Sequence, residues 1–151
     1  IAMLHWGSEY NDEISASQEK IRKQLQEGGV DIIVGTHPHL VQKVDYDSIA
    51  HTLVAWSLGD FFGDAVMAGS NYGVILDLEI TKNNDTGETK VTGFTYTPIF
   101  TVAEEDQPLK VVRIQEAIAS YEAGHMDRVS PETYEKMKYA LTRIEARING
   151  K

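Results

Sequence analysis

The chain has 151 residues, a net charge of −9 from 14 basic and 23 acidic side chains, and no cysteine. That length suits one ordinary globular domain with a real core, and the charge disfavours electrostatic binding to a nucleic-acid backbone while leaving cations or neutral partners as the easier ligands. Without cysteine there are no disulfides, thiolate metal sites or sulfur redox chemistry, and no apolar run reaches the ~18 residues of a membrane span.

"IAMLH" (1–5) opens the chain as a short buried strand, with no signal peptide ahead of it, so the chain is expected to begin inside a domain with any targeting segment upstream. "WGSEYNDE" (6–13) is a polar loop at the carboxyl end of that strand. A helix follows: Ser15 and Gln18 form a capping box, Ile14, Ile21 and Leu25 recur at helical spacing, and Gly28-Gly29 is the stop. "VDIIVG" (30–35) is a second buried strand, and the strand–helix–strand unit predicts a parallel pair with function at the carboxyl ends of its strands. His5 and the His37/His39 pair fall at those ends.

"LVQKVDYD" (40–47), "HTLVAWSLG" (51–59), "YGVILDLEIT" (72–81), "TKVTGFTYTPI" (89–99) and "KVVRI" (110–114) are successive strands expected to run antiparallel and complete one mixed sheet, with "KNNDTGE" (82–88) as a hairpin turn. "SPETYEKMKYALTRIEARI" (130–148) is a helix capped by Ser130, with Pro131 in its first position and Tyr134, Met137, Leu141, Ile144 and Ile148 along one core-facing stripe. No repeat, low-complexity tract or linker divides the chain, which is taken as one domain over residues 1–151.

The histidines carry the chemistry. Imidazole suits zinc, manganese or iron, and α/β metal sites gather ligands from several strand-end loops. Pro38 biases His37 toward extended backbone and leaves His37 and His39 free to straddle adjacent positions, which suits two neighbouring metals. A lone histidine at a strand end is ordinarily just hydrogen-bonded; the H-P-H triplet after an apolar strand puts the ligand reading on an equal footing, and His5 at the partner strand moves it modestly further. His51 and His125 lack such a context. Glu9, Asp12 and Glu13 are loop acids able to orient a ligand imidazole or simply to face solvent. Asp60 and Asp64 in "SLGDFFGD" are either site residues or turn formers beside Gly59 and Gly63.

"LHWGSEY" (4–10), "GGVDIIVGTHPHLVQ" (28–42) and "WSLGDFFGD" (56–64), in this order and spacing, resemble the capsule-biosynthesis protein CapA family, associated with bacterial poly-γ-glutamate. The resemblance covers about the first 80 residues. It implies a fold similar to the calcineurin-like metallophosphatases, an α/β/β/α sandwich holding two metals. By motif, His5 resembles the lone histidine of that superfamily and His37 and His39 its final G-H-x-H pair; His5 and His37 would share one metal and His39 would bind the other. The superfamily's remaining ligands come from motifs that precede the lone histidine and are absent from these residues, so the chain resembles the carboxy-terminal half of such a domain and is expected to be inactive alone. Thr36 precedes the first histidine of the pair, and Asp60 stands where the family pattern SLGNF has asparagine.

The implied function is capsule biosynthesis through a two-metal hydrolase site, with His5, His37 and His39 as ligands to Mn, Zn or Fe, and with Glu9 or Asp60 orienting ligands or water. Trp6 and Tyr10 would shape the pocket, unless Trp6 is simply core. Phosphoesters fit best, and amide bonds of an anionic polymer are also allowed. The alternative is a non-catalytic cell-surface module that binds the polymer or capsule-assembly membrane proteins. A weaker one is a coincidental motif in an intracellular α/β hydrolase. The resemblance further implies a surface or membrane-anchored location through an upstream segment. An unpaired sheet edge predicts that the fragment self-associates.

Overall fold

The computed structural model describes residues 1–63, 67–125 and 129–150. Strand β1 (Ala2–His5) leads through the 6–13 loop into helix α1 (Ala16–Glu27), and β2 (Ile32–Thr36) returns parallel to β1 with His5 opposite Thr36. Ser15 and Gln18 cap α1 reciprocally, and Gly28 ends it. Two expectations for this unit change. β1 is an edge strand, with Met3 76% exposed, because nothing pairs with its outer side among the described residues. Helix α1 meets the sheet through buried Gln18 flanked by Ile14 and Leu25, while Ile21 faces solvent. Helical rotation explains this, since Leu25 projects within about 20° of Gln18 and Ile21 lies about 60° away.

The strands of the second half form two sheets, not one. β3 (Val44–Asp47) and β4 (Thr52–Ala55) join the first sheet in the order β1-β2-β4-β3, with β4 parallel to β2 and β3 antiparallel to β4. Composition decides which strand is central. Leu53, Val54 and Ala55 are all buried and need cover on both faces, whereas Asp45 and Asp47 suit β3 to the edge. Residues 40–43, expected to begin this strand, form only a single bridge from Val41 to Leu58.

β5 (Tyr72–Lys82), β6 (Thr89–Val102) and β7 (Lys110–Arg113) make a separate antiparallel meander. Its hairpin turn forms as the sequence predicts: Asn83 Oδ1 accepts from the Asp85 and Thr86 N–H groups, and Gly87 takes a φ of 77°. Ile114 does not extend β7. It begins helix α2 (Ile114–Glu122), whose Ile114, Ala117 and Ile118 recur at helical spacing and join the core. Helix α3 (Pro131–Ile148) starts at Ser130 with Pro131 at its first turn, and its buried face is Thr133, Met137, Ala140, Ile144 and Ile148. Tyr134 and Leu141 of the expected stripe are its half-buried shoulders.

Two apolar clusters result. One packs Leu4, Ile14 and Leu25 with Trp6, Ile33, Val54 and Trp56 on the α1 side of the first sheet. The other unites residues of both sheets with Ile114 of α2 and Met137, Ala140, Ile144 and Ile148 of α3. Among the described residues no helix is long and apolar enough to cross a membrane.

Candidate functional site

The candidate site is built where β1 and β2 end side by side. A Cβ on Gly35 would lie 2.1 Å from the Trp56 carbonyl oxygen and 2.2 Å from Trp6 Nε1. Only glycine leaves room for the Trp6 indole to donate to that carbonyl at 2.9 Å. Trp6 is 6% exposed and stacked on Trp56 at 5.2 Å, so it is core and does not wall a pocket. This anchor fixes the chain immediately after His5 and immediately before the H-P-H triplet.

The two loops that leave the strand ends are joined where the Tyr10 N–H donates to the Pro38 carbonyl at 2.9 Å. Three residues here have left-handed backbone without being glycine: Tyr10 at φ 56°, His37 at φ 101° and His39 at φ 59°. The extended backbone expected of His37 from the proline that follows it is therefore not adopted. Such conformations cost on the order of 1–3 kcal/mol each for side-chain-bearing residues and persist where surrounding contacts impose them.

With that backbone, the His5 and His37 rings lie 4.1 Å apart, centroid to centroid, and His37 and His39 6.4 Å. His39 Nδ1 is 3.0 Å from each carboxylate oxygen of Asp60, and the Tyr10 ring stacks on the imidazole at 5.1 Å. In the neutral tautomer that donates from Nδ1 to Asp60, His39 Nε2 keeps its lone pair; Glu9 Oε1 lies 3.9 Å from that nitrogen. Asp60 reaches His39 because residues 58–60 stitch the two sheets together. Leu58 bridges Val41, Gly59 bridges Gly73, and the Val74 N–H donates to the Leu58 carbonyl at 2.9 Å. Side chains at Gly59 or Gly73 would strike the opposing backbone.

Among the described residues no group of three His, Asp or Glu side chains is arranged to hold a metal ion. The donors are of the class that binds Mn, Zn or Fe, but they stand as a His5–His37 pair and a separate His39–Asp60 pair, each a partial ligand set. The structure thus brings together His5, Glu9, Tyr10, His37, His39 and Asp60. It sends Asp12 elsewhere, into an ion pair with Arg147 of α3. The Glu13 backbone is used instead of its carboxylate, its N–H donating to Asn11 Oδ1. Asp64 lies outside the described residues. His51 approaches the Val91 carbonyl at 3.2 Å, and His125 lies past the end of α2.

Sequence reasoning missed Gln42 and Arg147. Gln42, 2% exposed, donates through Nε2 to the Asn11 carbonyl at 3.1 Å. A glutamine within the apolar stretch "LVQKV" is the only local signal for it. Arg147 has no signal at all, since its partners are more than a hundred residues away, at sequence separations of 106 and 135.

Residues 1–65 match the family model described as bacterial capsule synthesis protein PGA_cap. Over 64 residues the chain is 42% identical to the capsule biosynthesis protein CapA of Bacillus anthracis, an alignment covering 42% of this chain and 15% of that protein. Over 93 residues it is 30% identical to the PGA biosynthesis protein CapA of Bacillus subtilis (strain 168), covering 61% of this chain and 23% of that protein. The chain therefore spans less than a quarter of either relative's length. No solved structure matches it significantly.

Proposed function

We propose, from the match of residues 1–65 to the bacterial capsule synthesis family and the likeness to two CapA proteins, that the chain acts in building a poly-γ-glutamate capsule, through a metal-dependent hydrolase site at the β1 and β2 ends. The observation that carries this reading is the pairing of His5 and His37 from separate strand ends at 4.1 Å, beside a His39 oriented by Asp60 at 3.0 Å. In this reading His5 and His37 donate to one divalent ion and His39 Nε2 to a second. Asp60 holds the His39 ring and tautomer, as outer carboxylates do for ligand imidazoles. Glu9 orients ligand or water, and Tyr10 bounds the pocket. A bound Mn, Zn or Fe would lower the pKa of a water and stabilise developing charge on a phosphoester substrate. Each pair is incomplete among the described residues, and the resemblance implies that the superfamily's remaining ligands belong to motifs ahead of the lone histidine. The two sheets with helices then form the carboxy-terminal part of a metallophosphatase-like sandwich, displayed at the cell surface.

Titration of the whole chain with Zn²⁺ and Mn²⁺, followed by NMR of the imidazole protons, tests the ligand assignment. Joint perturbation of His5 and His37, lost in His5→Ala and in His37→Ala alike, is the expected result. Ion-independent histidine signals would sink it. The partial ligand sets favour a second reading, a non-catalytic module that binds the anionic polymer or assembly partners. Phosphodiesterase activity of the full-length protein that disappears in His37→Ala supports the enzyme, whereas polymer binding indifferent to chelator supports the module.

A further inference from the structure

Taking His5, Glu9, Tyr10, His37, His39 and Asp60 as one site, an assumption that rests on the reading above, we infer that Arg147 is a positioning residue which, with Asp12 and Gln42, sets the separation of the two loops that carry it. Arg147 lies in the last turn of α3, outside the family-matched residues 1–65. Its side chain is only 13% exposed. Nη1 donates to the Val41 carbonyl at 3.2 Å and Nη2 donates to the Asp12 carboxylate. One planar guanidinium thus spans the 37–43 loop and the 6–13 loop, which a single ammonium point charge cannot reproduce. Arg143 Nη2 stands 3.9 Å from the same Asp12 oxygen.

Two further ties lie alongside this fork. Gln42 Nε2 donates to the Asn11 carbonyl at 3.1 Å and reaches that of Glu13 at 3.5 Å, while the Tyr10 N–H donates to the Pro38 carbonyl at 2.9 Å. One loop is therefore held at residues 10 to 13 and the other at 38, 41 and 42. Tyr10, at the start of the tied segment, and Glu9, just before it, are kept against His39. The clasp carries a cost. Arg147 Nε and Gln42 Oε1 are buried with no partner among the described residues, and orphaned polar atoms of this kind destabilise a fold. Its contribution is geometric.

The test is residue-resolved amide hydrogen exchange on the whole chain, without metal, in Arg147→Met, Arg147→Lys and Asp12→Asn. The Tyr10 amide should exchange about tenfold faster in both Arg147 variants, while Val54 and Ile144 stay within about twofold of the parent. Asp12→Asn keeps the Val41 bond and should give a smaller increase at Tyr10, and combining it with Arg147→Met should add nothing further. Should Arg147→Met fail to fold, the half-exposed Asp12→Asn variant decides the matter alone. Unchanged Tyr10 exchange overturns the inference, and so does acceleration matched at Val54 and Ile144, which would make the fork an ordinary stabilising contact. Because no metal enters, failure here leaves the histidine titration standing, and failure of that titration leaves the exchange result standing.

Discussion

Gly35→Ala tests the anchor from which the candidate site is suspended. The new methyl carbon would sit 2.1 Å from the Trp56 carbonyl oxygen and 2.2 Å from Trp6 Nε1, so backbone or indole must move by roughly 1 Å to restore van der Waals separation. Overpacking of this kind costs about 1–3 kcal/mol. Separating a buried indole N–H from its carbonyl adds about 1–3 kcal/mol. Alanine's smaller unfolded-state entropy returns only about 0.4–1 kcal/mol, so the net loss is about 3 kcal/mol. Tryptophan fluorescence in a urea titration reads this directly, because Trp6 and Trp56 are both buried and stacked. With a slope of about 2 kcal/mol/M the midpoint should fall by about 1.5 M. Trp6→Phe removes the same N–H, so combining it with Gly35→Ala should cost less than the sum of the two. A loss below about 1 kcal/mol with unchanged near-UV circular dichroism would refute the packing argument.

Other perturbations probe separate parts of the fold. Ile144→Ala, at a position with no exposure in the cluster joining α3 to both sheets, should cost about 3–4 kcal/mol in the same urea assay. The Ser130 backbone N–H holds the Glu104 carboxyl below its ordinary value of 4.5, so this contact stabilises the fold above that pH and its contribution is lost as pH falls through the depressed value. Glu104→Gln should therefore lower neutral-pH stability by about 1 kcal/mol or less, and the gap from the parent should close in acid unfolding measurements. The β1 edge, unpaired among the described residues and with Ile1 and Met3 each 76% exposed, should drive self-association to a light-scattering mass above 16.8 kDa, and Met3→Lys should reduce it. At His37, φ 101° is easy for glycine and strained for alanine, so His37→Gly should be more stable than His37→Ala by about 1 kcal/mol in thermal unfolding.

What could be foreseen follows the range of the interactions involved. Helix α1 with its Ser15/Gln18 box, helix α3 behind Ser130-Pro131 and the Asn83 turn are set by neighbours a few residues apart, and they form where the sequence predicts. The division of the later strands between two sheets is a long-range outcome. It turns on whether Leu53, Val54 and Ala55 find cover on both faces, which no local pattern states. α2 was hidden because "KVVRI" satisfies strand propensity up to the residue where the helix begins. That the three histidines and Asp60 come close together was legible from their placement after apolar strands. Their backbone was not: the restriction that Pro38 places on His37 is local, and the contacts of the strand ends override it.

That override bears on what the strand-end histidines are for. Among the described residues five non-glycine positions have positive φ, and three of them, Tyr10, His37 and His39, belong to this one cluster. Asn and Asp tolerate such backbone best, and neither occupies any of the three positions. If these segments were only connections between strands and helix, glycine would serve there at lower conformational cost. With side chains present, the same backbone brings the His37 ring beside His5 and lays the Tyr10 ring on His39, whose Nδ1 meets Asp60. Extended backbone at His37 would continue the line of β2 and forfeit that turn toward β1. The strain and the juxtaposition are thus two aspects of one geometry, with Gly35 packed under it and Arg147 tying its loops from the far end of the chain.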